Sequence, residues 1–324
     1  MDKAPIAVIG TGQMGPGIGV TVALVGHPVT LYGRTEASVA RGLTAVDAVL
    51  ELLTREEIIS PEAAAAAGDH ISGTTDLAQA VRDAAFVFES IEENLAVKQR
   101  MFEQLEALVA PNTILASNTS GLRISDIAAN LRRPERAVTT HFWNPPHLIP
   151  LVDIVKGERT SDATIEQTRA LLLDAGKRPV VVLKDTAGQL GIRLLHAVKR
   201  EAFSIIEQGL ASPEDVDIAI RYGPGMRFGG FGPIEHTDTV GLDMVLAVQE
   251  SVVPGLCHAT EPSRLLREKV ARGELGVKTG KGFFDWSQRD PREVTRRRDQ
   301  WLIRQLKAMA KEQQPASAAA DATP

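Results

Sequence analysis

Two histidines and one carboxylate lie close together in the stretch HFWNPPHLIPLVDIV, which runs from His141 to Val155. An imidazole exchanges protons near neutral pH, and a buried carboxylate beside it fixes its tautomer and stabilises its charged form. His141 ends the β-branched run AVTTH, and Asp153 follows within an apolar run, where a carboxylate is costly unless it is paired. We therefore predict that Asp153 holds one nitrogen of His141 while the other takes a proton from an alcohol as general base. From these residues alone, a core histidine bonded to backbone remains the alternative.

Two further residues are candidates for contact with a substrate. His147 lies beyond the prolines of the same stretch, near the expected domain cleft, where it either contacts a substrate carboxylate or packs at an interface. Arg227 lies in the glycine-rich segment RYGPGMRFGGFGPIEHTD. A guanidinium in a flexible loop can clamp a carboxylate with two hydrogen bonds, although surface arginines are common.

A glycine-rich turn near the N-terminus, IAVIGTGQMGPGIG, places Gly10, Gly12 and Gly15 in a GxGxxG pattern. The pattern follows an apolar strand and opens a helix, which is the context of dinucleotide binding. The glycines allow a tight turn, close approach of backbone to a pyrophosphate and close contact of helix and strand, and the helix N-terminus offers free N–H groups. We predict a dinucleotide site here, with Gln13 and Met14 included.

The end of the second predicted strand bears on which dinucleotide is bound. An NAD site usually has Asp or Glu there to accept from the ribose 2′-hydroxyl. The sequence VTLYGRTEAS instead places Gly33 and Arg34 at that point. A glycine leaves room for a 2′-phosphate and an arginine can donate to it, which favours NADP over NAD unless Arg34 is only a surface residue.

Alternating strands and helices must position these residues. The predicted strands, between residue 5 and about residue 184, are PIAVIG, HPVTLYG, FVFESI, TILASN, AVTTHF and PVVVLKD. Strands separated by helices indicate a mainly parallel sheet covered on both faces, with active residues outside the carboxyl ends of its strands. After Asp185 the apolar residues follow helical spacing, and Ser212 is expected to cap the helix that begins in SPEDVDIAI.

The predicted fold class is therefore α/β. We expect a Rossmann-type dinucleotide-binding domain over 1–184 and an all-α substrate and dimerisation domain over 185–300. The segment 301–324 is predicted to hold the end of a helix and a disordered tail, KEQQPASAAADATP.

Composition restricts the partners of the chain. Its 324 residues, 44% apolar and 24% charged, are typical of a soluble globular protein large enough for two domains. A net charge of −5 gives no reason to expect nucleic acid or an anionic membrane as partner. No apolar run reaches membrane-spanning length, the start MDKAPIAVIG leaves no room for a signal peptide, and the single Cys257 suits a reducing cytoplasm. We expect a cytoplasmic protein with a small-molecule substrate and no metal.

Four blocks of the sequence resemble the 3-hydroxyacyl-CoA dehydrogenase family. They are VIGTGQMGPGI, FESIEENLAVKQ, ASNTSGLRI with HFWNPPHLIPLVDIV, and GVKTGKGFF. The resemblance covers the chain to about residue 290 and implies an NAD(P)-dependent dehydrogenase. Since the helical domain of this family commonly pairs with itself, the resemblance also implies a homodimer.

The resemblance assigns roles to individual residues. It implies that His141 is the catalytic base and Asp153 its orienting acid, where most of the family has Glu. It implies that Ser120 hydrogen-bonds the reacting oxygen and that Asn144 shapes the pocket beside the base. Glu93 and Lys98 are implied to lie by the nicotinamide ribose.

Two departures from the family pattern concern the substrate. Many members have an asparagine in DTPGFxxNR that reaches the substrate carbonyl, whereas this chain reads DTAGQLGIR, with Ile192 in that place. Members that use CoA carry Ser and Lys after the second strand, whereas the region VDAVLELLTREEIISPEAAAAAGDH is acidic, with Arg55 as its only Lys or Arg. Acidic surface repels the CoA phosphates.

NPPHLIP is also similar to the branch that acts on small free molecules, such as gulonate dehydrogenases, their lens-crystallin relatives and a pyridine-carboxylate dehydrogenase of vitamin B6 breakdown.

Three functions are consistent with these residues. The favoured one is an NAD(P)-dependent dehydrogenase that interconverts a hydroxyl and a carbonyl on a small carboxylated molecule. The alternatives are a short-chain 3-hydroxyacyl-CoA dehydrogenase and a non-catalytic nucleotide-binding protein of crystallin type.

Overall fold

The computed structural model describes residues 3–312 of the chain. Residues 313–324, which hold most of the predicted tail, lie outside the described residues. The strands within residues 3–312 are, in chain order, β1 Ile6–Ile9, β2 Val29–Tyr32, β3 Ile71–Thr74, β4 Phe86–Glu89, β5 Ile114–Ser117, β6 Ala137–Phe142, β7 Leu151–Val155 and β8 Arg178–Val182.

These strands form one sheet in the order β3-β2-β1-β4-β5-β6-β7-β8. Neighbouring strands are parallel, except that β6 and β7 are antiparallel. The strand order reverses between β1 and β4, and an open sheet of this kind has its ligand crevice outside the carboxyl ends of the strands at such a point. The predicted α/β class is confirmed.

Burial on both faces explains why the central strands are apolar throughout. In β1, Ile6 and Val8 belong to one apolar cluster while Ala7 and Ile9 belong to another, because successive side chains of a strand point to opposite faces. Helices cover both faces, as a parallel sheet requires. The six predicted strands are all present.

Two strands were missed, β3 and β7. The sequence of β3, ISGT, contains a glycine and two hydroxyl residues, and its side chains are mostly half-buried at the edge of the sheet. The sequence of β7, LVDIV, follows closely on three prolines and has a carboxylate at its centre. Neither pattern resembles a continuous β-branched run.

Seven α-helices of the described chain lie among these strands, and all of them except the first and the sixth begin with a side-chain cap. The Thr35 side chain accepts from the backbone N–H of Ser38, and Asn94 and Ser161 cap their helices in the same way. These helices are α1 Gly15–Ala23, α2 Glu36–Arg55, α3 Pro61–Asp69, α4 Leu77–Val81, α5 Leu95–Leu108, α6 Ile124–Ile127 and α7 Asp162–Asp174.

The later part of the described chain is helical, as predicted. Its helices are α8 Leu190–Glu207, α9 Pro213–Tyr222, α10 Pro224–Arg227, α11 Pro233–Val240, α12 Leu242–Val252, α13 Arg264–Ala271 and α14 Pro291–Glu312. Ser212 caps α9 by accepting from the backbone N–H of Asp215, which confirms that prediction. No helix among residues 3–312 is long and apolar enough to cross a membrane.

Contacts divide the described chain into two units. The first holds residues 3–192 together with 297–312, and the second holds 193–296. This division differs from the sequence boundaries at 184 and 300 because the last helix packs on the first unit. Ile303 is 4% exposed there, and Leu302 and Leu306 pack against the same apolar cluster.

Candidate active site

A cavity of about 520 Å³ lies outside the carboxyl ends of β1 and β4. Its lining consists of Gly10, Thr11, Gly12, Gln13, Met14, Tyr32, Gly33, Arg34, Ser38, Ser90, Ile91, Glu92, Val97, Met101 and Asn118. The predicted glycine-rich turn, from Gly10 to Met14, thus forms one wall. The position agrees with the crevice expected where the strand order reverses.

The glycines of this turn have different steric roles. A Cβ at Gly15 would collide with the carbonyl oxygen of Gly10, and a Cβ at Gly10 with the carbonyl oxygen of Ser90. A Cβ at Gly12 would meet no atom within 4 Å, and Gly12 is exposed on the cavity wall. Gly10 and Gly15 therefore hold the turn closed, while Gly12 leaves space in the cavity.

These residues fit a dinucleotide. The cavity is large, and the first N–H groups of α1, which begins at Gly15, have no partners within the helix. An anion at that helix N-terminus is favoured by those donors and by the helix dipole. Gln13 and Met14 line the cavity between the glycines.

Gly33 is buried and closely packed. A Cβ there would lie 2.6 Å from the Ser38 hydroxyl, 3.0 Å from a Val39 methyl and 3.2 Å from a Thr11 methyl. The glycine at this position therefore serves the packing of α2 against the first turn, because the place of a Cβ is already filled. Arg34 is exposed and lines the cavity.

His141 and Asp153 are brought together by the antiparallel pairing of β6 with β7. The two residues lie directly opposite each other in the register. His141 Nδ1 is 3.1 Å from Asp153 Oδ2, with His141 6% and Asp153 0% exposed. A buried carboxylate in this position orients the ring and leaves the other nitrogen, Nε2, for chemistry.

Asp153 has two further donors, which the sequence interpretation did not include. The indole N–H of Trp143 donates to Oδ2 over 3.3 Å, and the backbone N–H of Gly191 lies 3.4 Å from Oδ1. The only feature of the sequence that indicates this contact of Trp143 is its position two residues after His141, because side chains two residues apart along a strand point to the same face of the sheet. Gly191 carries no such signal.

Ser120 lies in a tight turn held by Glu93. One carboxylate oxygen of Glu93 accepts from the Thr119 hydroxyl at 2.6 Å and from the backbone N–H groups of Ser120 and Gly121, each at 3.0 Å. Although burial of Glu93 acts in the opposite direction, the hydrogen bonds from this turn and the charge of Lys98 lower its pKa. Glu93 is therefore an anion that organises the serine turn.

Lys98 is 1% exposed and does not line the nucleotide cavity. Its ammonium group lies 2.7 Å from Glu89 and 3.5 Å from Glu93, and Glu89 also accepts from the Ser117 hydroxyl at 2.6 Å. The structure thus places Glu93 and Lys98 together, in a buried network that joins the ends of β4 and β5 to the serine turn. Glu89 is a further residue that the sequence interpretation missed.

Two asparagines flank the site in different ways. Asn118 lines the cavity, and its side-chain oxygen accepts from the backbone N–H of Phe142 at 2.8 Å, next to His141. Asn118 was not singled out, although it precedes the recognisable TSG. Asn144 is exposed, three residues after His141 in the chain.

His147 packs against the nucleotide-binding helix α1. Its Nδ1 would lie 3.0 Å from a Cβ at Gly17, and that nitrogen is buried without a hydrogen-bond partner in the described chain. Burial, and then the nearby charge of Lys177, lower the pKa of His147 to about 4, so the ring is neutral. The Lys177 ammonium donates to the backbone oxygens of Pro146 at 2.5 Å and Ile149 at 3.3 Å, and burial lowers its pKa to about 8.

The remaining substrate candidates lie elsewhere in the chain. Ile192 is half-buried in the first turns of α8, immediately after Gly191. Arg227 is exposed at the end of α10 in the second unit, over the ring of Phe231. No group of His, Cys, Asp and Glu side chains in residues 3–312 is arranged to hold a metal ion.

Comparison with known families gives matches over both parts of the chain. The NAD binding domain of 3-hydroxyacyl-CoA dehydrogenase matches residues 5–186, and the C-terminal domain of the same family matches residues 188–286.

Curated relatives and solved structures agree with these matches. The 5-formyl-3-hydroxy-2-methylpyridine 4-carboxylate 5-dehydrogenase of Mesorhizobium japonicum is 32% identical over 92% of this chain and 96% of its own. A probable 3-hydroxybutyryl-CoA dehydrogenase of Bacillus subtilis is 36% identical over 89% of this chain and 99% of its own. A crystal structure of a 5-formyl-3-hydroxy-2-methylpyridine 4-carboxylic acid 5-dehydrogenase, described as an NAD⁺-dependent dismutase, superposes with a TM-score of 0.88 at 31% identity. The superposition covers 95% of this chain and 99% of the other.

The prediction that NADP is favoured is wrong. The matching domain is an NAD binding domain, and the superposed enzyme is described as NAD⁺-dependent. The physical error lies at Gly33, which was taken as room for a phosphate. The space beside Gly33 is filled by Ser38, Val39 and Thr11.

The fold, the cavity and the two matched domains lead to one conclusion. The chain belongs to the 3-hydroxyacyl-CoA dehydrogenase family and is an NAD-dependent dehydrogenase.

Proposed function

We propose that the protein interconverts a hydroxyl and a carbonyl on a small carboxylated substrate that does not carry CoA, with His141 as general base. The observation that carries this proposal is the buried His141–Asp153 pair, with 3.1 Å between Nδ1 and Oδ2, near the carboxyl end of β6. A pair of this kind is suited to taking a proton from a neutral alcohol.

The residues divide the work as follows. His141 Nε2 removes the hydroxyl proton of the substrate, and the Asp153 carboxylate stabilises the imidazolium that forms. Ser120, in the turn fixed by Glu93, donates a hydrogen bond to the same oxygen as its bond to carbon becomes double. NAD⁺, when bound, supplies the acceptor for the hydride that leaves carbon. The alcohol loses one proton and one hydride in total, and in the reverse direction His141 returns the proton to the oxygen.

Two observations support a small substrate over acyl-CoA. The only Lys or Arg in the segment 46–70 is Arg55, whose guanidinium lies 3.6 Å from Glu56, while Glu51, Glu57 and Glu62 are exposed. Phosphates of CoA gain no cation there and meet negative charge. In addition, a relative matched over nearly its whole length acts on a pyridine carboxylate, according to its name.

The substrate class is tested with purified protein and NAD⁺. A panel of hydroxy acids, sugar acids and hydroxymethyl- or formyl-pyridine carboxylates is assayed by NADH absorbance, and acetoacetyl-CoA is assayed with NADH. Turnover of a free acid, without competitive inhibition by CoA, supports the proposal. Turnover of acetoacetyl-CoA that CoA inhibits competitively would instead establish the acyl-CoA alternative.

The role of His141 is tested with His141→Asn on the substrate found in this way. Loss of general base catalysis reduces kcat roughly 10²–10⁴-fold. NADH binding should be retained, because His141 does not line the nucleotide cavity. Turnover at the wild-type rate would contradict the mechanism, and NADH binding without turnover of any panel member would favour the non-catalytic alternative.

The homodimer is supported by the lack of a core in the second unit. Ser204 is its one buried residue between 193 and 296. Large apolar side chains are exposed instead, and α12 contributes Leu242 (65% exposed), Met244 (61%) and Leu246 (60%). Exposed apolar patches of this extent mark contact surfaces, so we propose that this unit is completed by a second copy of the chain.

A further inference from the structure

Three different donors converge on the buried carboxylate of Asp153. Nδ1 of His141 and the indole nitrogen of Trp143 both lie beside Oδ2, at 3.1 and 3.3 Å, and the backbone nitrogen of Gly191 lies 3.4 Å from Oδ1. Asp153 is completely buried, so water does not compete for these bonds. Hydrogen bonds to an ionised group in such a setting are stronger than between neutral groups.

Trp143 is held in place by its neighbours. Its ring is packed edge-on against the His141 ring, with 5.6 Å between the centroids. On another side it lies against Gly191, where a Cβ would come within 2.7 Å of the indole Cζ2. The absence of a side chain at Gly191 therefore allows the indole to stay close to the first turn of α8 while its N–H points to Asp153.

Sharing of Oδ2 has a consequence for the histidine. A carboxylate oxygen that accepts from an indole N–H has less negative charge available for a second donor. The hydrogen bond to His141 is then weaker than it would be with Asp153 alone, and the imidazolium is less stabilised. Removing the indole N–H should therefore strengthen the hydrogen bond between His141 and Asp153.

We propose that Trp143 is a positioning residue that adjusts the basicity of His141 through Asp153, and that Gly191 keeps the indole in this position. The inference rests on the proposed role of His141 as general base. Trp143 itself does not transfer a proton. Asp153 is the one ionisable side chain among the described residues that hydrogen-bonds His141, so the effect passes through that carboxylate.

The test measures the titration of His141 directly by NMR, without a substrate. The chain has 7 histidines, and with ring-labelled histidine the His141 signals are assigned as those missing from His141→Gln. In Trp143→Phe, which keeps an aromatic ring but removes the N–H, the midpoint of the His141 titration should move up by roughly half to one pH unit. The matched control is Trp301→Phe, because Trp301 lies exposed on α14 and should leave the midpoint unchanged.

A second variant protects the test against a failure of Trp143→Phe to fold. Gly191→Ala keeps both side chains but pushes the indole away from the carboxylate, so it should raise the midpoint in the same direction. The two changes combined should raise it no further than Trp143→Phe alone, since residues that act through one contact are not additive. A midpoint that is unchanged or lowered in folded Trp143→Phe or Gly191→Ala protein would overturn the inference.

The outcome is separate from that of the proposed function. If His141→Asn retains full turnover, the general base assignment fails whatever the titration shows. If His141→Asn is inactive and the titration of Trp143→Phe is unchanged, only the role of Trp143 fails. Where both hold, the acid limb of kcat/KM against pH should move upward in Trp143→Phe by the amount seen in the titration.

Discussion

Individual residues of this site depend on their immediate neighbours more than on their type. Asp153 is placed in an apolar strand, and its burial is tolerated because three donors surround it. Gly33 shows the opposite situation, in which a residue read as part of a binding site is instead required by packing. In both cases the role of the residue depends on the groups packed around it, and the residue type alone does not reveal those groups.

The first prediction at this scale concerns the cofactor. We expect NADH to bind roughly tenfold or more tightly than NADPH, equivalent to about 1.4 kcal/mol or more, because the matched domain is an NAD binding domain and Gly33 serves packing. Fluorescence titration of the purified protein with each nucleotide measures this. Equal or tighter binding of NADPH would contradict the assignment of NAD.

Secondary structure elements were predictable where the pattern was regular. The GxGxxG turn, the six β-branched strands and the Ser212 cap all follow from local rules and are present. The strand β7 was not predicted. The sequence therefore indicated that His141 and Asp153 lie close together, but not that they face each other across paired antiparallel strands. Trp143 and Gly191 are 48 positions apart in the chain and meet only in the folded structure, so no local rule describes that contact.

The glycines of the β1–α1 turn give a prediction that separates folding from binding. In Gly12→Ala the new Cβ enters the cavity and touches no protein atom, so NADH binding should weaken at least about tenfold with stability unchanged within roughly 0.5 kcal/mol. In Gly15→Ala the Cβ collides with the Gly10 carbonyl, and the protein should also lose roughly 1–3 kcal/mol of stability. Thermal unfolding and NADH titration of both variants measure this. If Gly12→Ala bound NADH with wild-type affinity, the bound nucleotide would not lie against the cavity wall at Gly12.

The loop from Pro145 to Pro150 predicts a pH dependence of stability. Burial and the charges of Lys177 and Arg298 lower the pKa of His147 to about 4, while Asp299 acts in the opposite direction. The ordinary pKa of a histidine is 6.5. Between pH 6.5 and pH 4, His147 therefore binds a proton in the unfolded chain but not in the folded chain. Stability from this group is therefore complete above pH 6.5 and is lost as the pH falls to 4, by about 3 kcal/mol.

The measurement compares variants over that range. His147→Asn should show a shallower fall in the free energy of unfolding between pH 6.5 and pH 4 than the wild type. His258→Asn is the matched control, because His258 is exposed. Parallel curves for His147→Asn and the wild type would show that His147 does not stay neutral in the fold.

At the scale of the whole molecule, the two units differ in how complete they are. The first unit has apolar clusters on both faces of its sheet, whereas the second buries Ser204 alone among its residues. A helical unit with so little buried surface cannot offset the conformational entropy of its own ordering. Association of two chains is the simplest way to bury the apolar side chains that it exposes.

This leads to a prediction about assembly. The wild type should sediment as a dimer at micromolar concentration, and Leu246→Glu on α12 should shift it towards the monomer, because a charge at an apolar contact loses its hydration. Leu173→Glu in the first unit, where the side chain is also exposed, is the matched control and should stay dimeric. A monomeric wild type would contradict the proposed contact surface.

The return of the last helix to the first unit has a consequence for synthesis of the chain. Residues 297–312 leave the ribosome after the whole of 193–296, yet Ile303 belongs to the apolar cluster that includes Leu148. The nucleotide-binding unit therefore cannot finish folding while it is still the only part translated, although N-terminal domains generally fold first. Until the last helix arrives, the apolar side chains that it covers stay open to water and to chaperones.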